Sequence, residues 1–80
     1  MLDALKNGKK AVGVKQSKKA VQSGQAIHVF IAEDADPFVT DPIPALCNEY
    51  GVPVSYVPEM VALGNACGIK VGAAVAALLK

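Results

Sequence analysis

The stretch Ala26-Ile27-His28-Val29-Phe30-Ile31-Ala32 decides the fold. It is apolar at every position except His28 and rich in β-branched residues. A strand with one wet face alternates apolar and polar side chains. An almost unbroken apolar run of this length fits a strand covered on both faces, so helices are expected on either side of its sheet. A lone histidine in such a strand reads as a structural residue with its hydrogen bonds satisfied, not as a ligand.

On the N-terminal side, Leu2, Leu5 and Lys6 predict a first helix over about residues 2–7, ended by Asn7-Gly8, followed by a short strand over 10–14. A second helix is expected over 15–23. Ser17, Ala20, Val21 and Gly24 form its small inner face, Lys15, Lys18, Lys19 and Gln22 its outer face, and Gly24 suits the position after its end. On the C-terminal side, Asp36-Pro37 and Asp41-Pro42 both fit an N-cap followed by a first helical residue. They predict a helix over 42–50, preceded by a helical turn over 37–40 and closed by Gly51. A second buried strand is expected over 53–57. Pro58 then opens a turn into a helix over 59–67, with Met60, Leu63 and Ala66 inward and Gly68 at its end. The last strand is expected over 71–79, with small residues at 72–74 where a helix can press close. Helices and strands alternate throughout. That pattern predicts one α/β domain over residues 1–80: a three-layer α/β/α sandwich on a small mixed four-stranded sheet.

Composition agrees. Eighty residues bury roughly 60–65% of their unfolded surface, enough for one core without metal or disulfide. An apolar fraction of 52% excludes disorder, and with only Phe30, Phe38, Tyr50 and Tyr56 as aromatics the core must be aliphatic and alanine-rich. Cys47 and Cys67 have no CxxC spacing and His28 is the only histidine, so no zinc site is offered; two reduced, buried thiols in a cytosolic protein are expected. No signal peptide is visible, and the apolar run over 71–79 is too short to span a bilayer, so a cytoplasmic protein without membrane or cofactor is expected.

The net charge of +1 hides a segregated distribution. Residues 1–25 hold six lysines against Asp3, a net of +5. Residues 26–59 hold six carboxylates and no lysine, a net of −6. The lysines concentrate in Gly13-Val14-Lys15-Gln16-Ser17-Lys18-Lys19, where a glycine closes a short apolar segment and a polar, cationic helix opens. Lys15, Lys18 and Lys19 lie one turn apart on one face. Together with the free N–H groups of a helix start, they fit an anionic, base-bearing partner such as RNA. Charge alone fits a solvated helix face equally well. No arginine is present, so phosphate contacts would use lysine point charges instead of bidentate forks.

Four motifs lie in register: Gly-x5-Lys-Ala at 13–20, Ile-Ala-Glu-Asp-Ala-Asp-Pro at 31–37, Leu-Cys-x4-Val-Pro at 46–53 and Leu-Gly-x-Ala-Cys-Gly at 63–68. Each is weak alone. Together they resemble the kink-turn RNA-binding family of archaeal and eukaryotic ribosomal proteins (the L-seven-Ae type), in particular its short bacterial members, over essentially the whole chain. That resemblance implies a non-catalytic protein that binds sharply bent RNA built on tandem sheared G·A pairs. The target would be ribosomal, riboswitch-type or other structured RNA, with the ribosome as a possible setting and a monomer as the expected state.

It also implies the site. The second helix would enter the widened groove at the bend, with Lys15, Gln16 and Lys19 reaching guanine edges and nearby phosphates. Gly13 would let backbone approach RNA closely, with Val14 and Glu33 beside the contact; Lys18, on the same helix but without a matching family role, is expected as a phosphate neighbour or as a solvated side chain. The loop of Val57, Pro58, Glu59, Met60 and Val61 would pack on nucleotides splayed from the bend. Archaeal and eukaryotic members usually carry Asn-Glu where Lys15-Gln16 stands here; glutamine donates as well as accepts, whereas ionised glutamate only accepts. Val61 and Ala62 stand where lysines are common in the family, so phosphate attraction there should be weaker.

Two other functions compete. Asp34-x-Asp36 after a buried strand superficially resembles the DxD of magnesium-dependent phosphotransferases, but the chain lacks the later lysine–aspartate constellation. The two aspartates are expected to shape the turn and cap the next helix. A protein-interaction module on the same fold is the other alternative, with Met60 and Val61 as its apolar contacts.

Overall fold

The computed structural model describes residues 3–80. Leu2, counted above in the first helix, lies outside them. In chain order the elements are α1 (Asp3–Asn7), β1 (Lys10–Val12), α2 (Val14–Gln22), β2 (Ala26–Ala32), α3 (Pro37–Thr40), α4 (Pro42–Tyr50), β3 (Val54–Val57), α5 (Met60–Ala66) and β4 (Val75–Leu79).

The sheet order is β1-β4-β2-β3, with β4 antiparallel to both β1 and β2 and β3 parallel to β2. Alternate residues of the central strands face opposite layers. Phe30, Ala32 and Ala76 pack with Leu5 of α1 and with Leu63 and Ala66 of α5. Val29, Ile31, Val75 and Ala77 pack with Ala20 and Val21 of α2 and with Ile43 and Cys47 of α4. The three-layer sandwich and its mixed four-stranded sheet are as expected. Coverage of β2 is double-sided only from Val29 onward; Ile27 is 44% exposed, at an irregularity in the pairing with β4 between Ala26 and His28.

Several boundaries differ from expectation, each for a local reason. β1 stops at Val12, and α2 starts one residue early, at Val14, because Gly13 (φ 101°, ψ 160°) turns the chain between them. Gly24 follows the end of α2 as predicted but is exposed, so it is not part of the inner face. Asp36 caps α3, its carboxylate accepting the Phe38 N–H at 2.9 Å. Asp41 does not cap α4: its backbone is helical and its N–H donates to the Pro37 carbonyl at 2.8 Å, so α3 runs straight into α4.

The largest difference concerns the last strand, expected from residue 71 and formed only from Val75. Residues 71–74 press against α5 instead. The Ala73 N–H donates to the Met60 carbonyl at 3.0 Å. A Cβ on Gly64 would overlap the Val71 carbonyl oxygen, and one on Gly72 would stand 2.9 Å from the Met60 Cβ. The small residues read in the sequence do allow close approach, but what they admit is the segment entering β4.

His28 is structural: Nε2 lies 2.7 Å from the Ser55 hydroxyl, and the ring stacks on Phe30 with centroids 4.6 Å apart. Burial holds its pKa below the usual 6.5. Cys47 and Cys67 are buried free thiols, and burial pushes both above their ordinary pKa. Among the described residues no helix is long and apolar enough to cross a membrane.

Candidate nucleic-acid interface

The registers place the ends of β1, β2 and β3 and the start of β4 at one end of the sheet. Gly13, Glu33 and Pro58 each stand one residue past a strand end there. Backbone hydrogen bonds tie this end together: Gly13 N–H to the Val75 carbonyl at 2.8 Å, Ala32 N–H to Ala74 at 2.9 Å, and Glu33 N–H to Val57 at 2.7 Å. The α2 start and the β3–α5 loop, 45 positions apart between Gly13 and Pro58, are therefore brought to one edge.

Gly13 opens α2. Its φ of 101° with ψ of 160° is a conformation that residues with a side chain avoid. A Cβ built on it meets no atom within 4 Å, so the backbone here faces open space. Among the described residues no side chain caps the helix, and the first N–H groups of α2 remain for a ligand or solvent. Val14 is half-buried on the core; Lys15, Gln16, Lys18 and Lys19 are exposed. Lys15, Lys18 and Lys19 have no ion-pair partner among the described residues. Lys15, Lys18, Lys19 and Gln22 line a shallow open depression of about 500 Å3 with Val14. Lys19 also borders a second, of about 270 Å3, together with Gln16 and Ser23. It stands on the ridge between the two.

At the other side of this edge, Glu33, Pro58 and Glu59 are exposed, Val61 is 63% exposed and Met60 is half-buried. Val57 differs from the reading of it as a contact residue: it is 5% exposed and packs with Phe30 and Leu63, so its side chain belongs to the core. The aspartates are accounted for by helix starts. Asp36 caps α3, while Asp34 accepts the Met60 N–H at 2.8 Å and so caps α5 instead of the next helix. A group of carboxylates each engaged by a helix N–H is structural in form. Sequence reading missed Phe38, which lies on α3 beyond the β2 end and is 87% exposed. A four-residue helix has no periodicity from which an outward side chain could be read.

The profile of the Ribosomal protein L7Ae/L30e/S12e/Gadd45 family matches residues 1–80. The chain is 45% identical over 76 residues to RNA-binding protein GWCH70_0105 of Geobacillus sp. (strain WCH70), covering 95% of this chain and 93% of that protein. Identity and coverage are the same for RNA-binding protein YbxF of Geobacillus stearothermophilus. Among solved structures, the Giardia lamblia 15.5kD RNA binding protein superposes with a TM-score of 0.93 at 34% identity, covering 99% of this chain and 70% of that one. With a family profile matched over its full length and relatives of this identity, the chain belongs to the Ribosomal protein L7Ae/L30e/S12e/Gadd45 family.

Proposed function

We propose that this protein binds RNA without catalysis and recognises kink-turns, acting as a cytoplasmic monomer on ribosomal, riboswitch-type or other structured RNA. The observation that carries the reading is the convergence at one sheet end of a partly apolar loop with a glycine-led helix start that, among the described residues, has no side-chain cap and whose three lysines have no ion-pair partner. The lysines and free N–H groups suit phosphates and guanine O6 and N7. Val61 and the exposed part of Met60 suit the face of an unstacked base. A regular RNA duplex keeps its major groove too narrow for side chains, so a helix-borne reading head of this kind requires a bend or internal loop to open it. Names of relatives that describe RNA-binding proteins support the RNA-binding part of this reading.

A gel-shift titration with a kink-turn and with the same RNA carrying disrupted G·A pairs tests it. Tight binding to the first and weak binding to the second is expected; equal affinities would sink the reading. If three or four phosphates are neutralised, the log–log salt slope is about −2 to −4. Protein docking is a second reading, favoured by exposed Phe38, Val61 and Val71. Co-purification with protein in place of RNA would support it. Crosslinking in cells followed by sequencing identifies the RNA.

A further inference from the structure

Glu33 and Asp34 grip the β3–α5 loop at both of its ends. The Glu33 N–H donates to the Val57 carbonyl at 2.7 Å, and a carboxylate oxygen of Asp34 accepts the Met60 N–H at 2.8 Å. Only Pro58 and Glu59 stand between these anchors. Glu59 occupies the N-cap place of α5 but is extended (φ −133°, ψ 141°) and gives no side-chain cap. The cap comes instead from a carboxylate 26 positions upstream. Met60 is fixed further by the Ala73 N–H on its carbonyl and by the absence of a side chain on Gly72 against its Cβ. The result is a short loop pinned on several sides, from which Val61 projects.

We infer that Asp34 is a positioning residue for RNA binding: it does not touch RNA but holds Pro58–Val61 in the form that receives the splayed nucleotide. This rests on the kink-turn reading above. A pinned loop loses less conformational freedom on binding, so it binds its ligand more tightly than a loop that must first be ordered. The charge of Asp34 acts in the opposite sense, because a carboxylate at an RNA-facing edge repels phosphate. The two effects separate by substitution. Asp34→Asn keeps an acceptor and drops the charge. Asp34→Ala drops both. Asp34→Glu keeps the charge but displaces the acceptor by one methylene.

The experiment measures Kd by fluorescence anisotropy with the full chain, a kink-turn RNA, and the same RNA carrying an abasic site at the splayed nucleotide. Asp34→Ala and Asp34→Glu should each weaken binding to the intact RNA by about three- to tenfold, within the range of a lost helix cap. Asp34→Asn should bind as wild type or more tightly. On the abasic RNA the loss should fall below about twofold, since the loop then has no base to receive; a merely structural role would weaken both RNAs alike. Circular dichroism checks folding, and Asp34→Glu serves if Asp34→Ala does not fold. Unchanged or tighter binding by both Asp34→Ala and Asp34→Glu, or equal losses on the two RNAs, overturns the inference while leaving the kink-turn reading intact. A wild-type protein that does not distinguish intact from disrupted G·A pairs overturns that reading, and this inference with it.

Discussion

Lys19→Ala tests the site most sharply. Lys19 follows Lys15 by four positions and Gln16 by three, so the three side chains share neighbouring faces of α2. Helical side chains lean toward the N-terminus, which carries the Lys19 ammonium back over the turn that begins at Gly13. It borders both surface depressions and has no ion-pair partner among the described residues. Its removal should therefore leave the fold intact: the change in helix propensity is a few tenths of a kcal/mol at most, roughly a degree or two in Tm. For RNA the cost depends on what Lys19 reads. A guanine contact is worth about 1–3 kcal/mol, a 5- to 150-fold rise in Kd, felt by the intact kink-turn and scarcely by RNA with disrupted G·A pairs. A phosphate contact alone would weaken both RNAs alike and flatten the salt slope by about one unit. Anisotropy titrations of both RNAs at three salt concentrations distinguish these outcomes, with circular dichroism as the check on folding. Lys6→Ala is the control, because α1 packs on the opposite face of the sheet from α2. Normal kink-turn binding by a folded Lys19→Ala protein would refute the assignment of α2 as the reading head.

Other outcomes follow from packing and titration. Gly13→Ala meets no steric obstacle but forces a side-chain-bearing residue to φ 101°, so it should cost about 1–3 kcal/mol and lower Tm by at least about 4 °C, measured by thermal melts. Gly64→Ala would drive a Cβ into the Val71 carbonyl and should lower Tm further than Gly13→Ala; a melt within about 2 °C of wild type would contradict the close α5 contact. The lowered pKa of His28 means that the folded state resists its protonation: its contribution is fully present above pH 6.5 and is lost as pH falls through the folded-state value. Wild type should therefore lose more stability than His28→Gln between pH 7.5 and 5.5 in urea titrations. Cys47 and Cys67, buried with raised thiol pKa values, should react with a thiol reagent at neutral pH only after unfolding.

Much of this was legible in the chain because local signals agreed. The apolar run over 26–32 marked a central strand, and Gly24, Gly51 and Gly68 follow the ends of α2, α4 and α5 as expected. The outward lysines of α2 followed from spacing alone. What escaped depended on partners distant in sequence. Nothing near Asp34 shows that it caps a helix beginning at Met60. Asp41-Pro42 has the same local form as Asp36-Pro37, yet it does not cap, because α3 arrives immediately before it. Residues 71–74 have strand-forming company on their C-terminal side, but the fit of Gly64 and Gly72 assigns their backbone to α5. Val57 entered the candidate site through its loop, while burial shows that only its neighbours face outward.

The placement of β4 between β1 and β2 has a consequence for how the chain folds. Among the described residues β1 has no other sheet neighbour, and its register pairs Lys10 with Leu78. Residues 26–57 can form the parallel β2–β3 unit early, but β1 stays unpaired until residues 75–79 arrive. Closing so long a loop is entropically costly and slows folding. The start of α2 is completed by the same event, through the Gly13–Val75 hydrogen bond. During synthesis, therefore, the lysine-bearing end of the molecule takes its final shape only after residues 75–79 have left the translating ribosome.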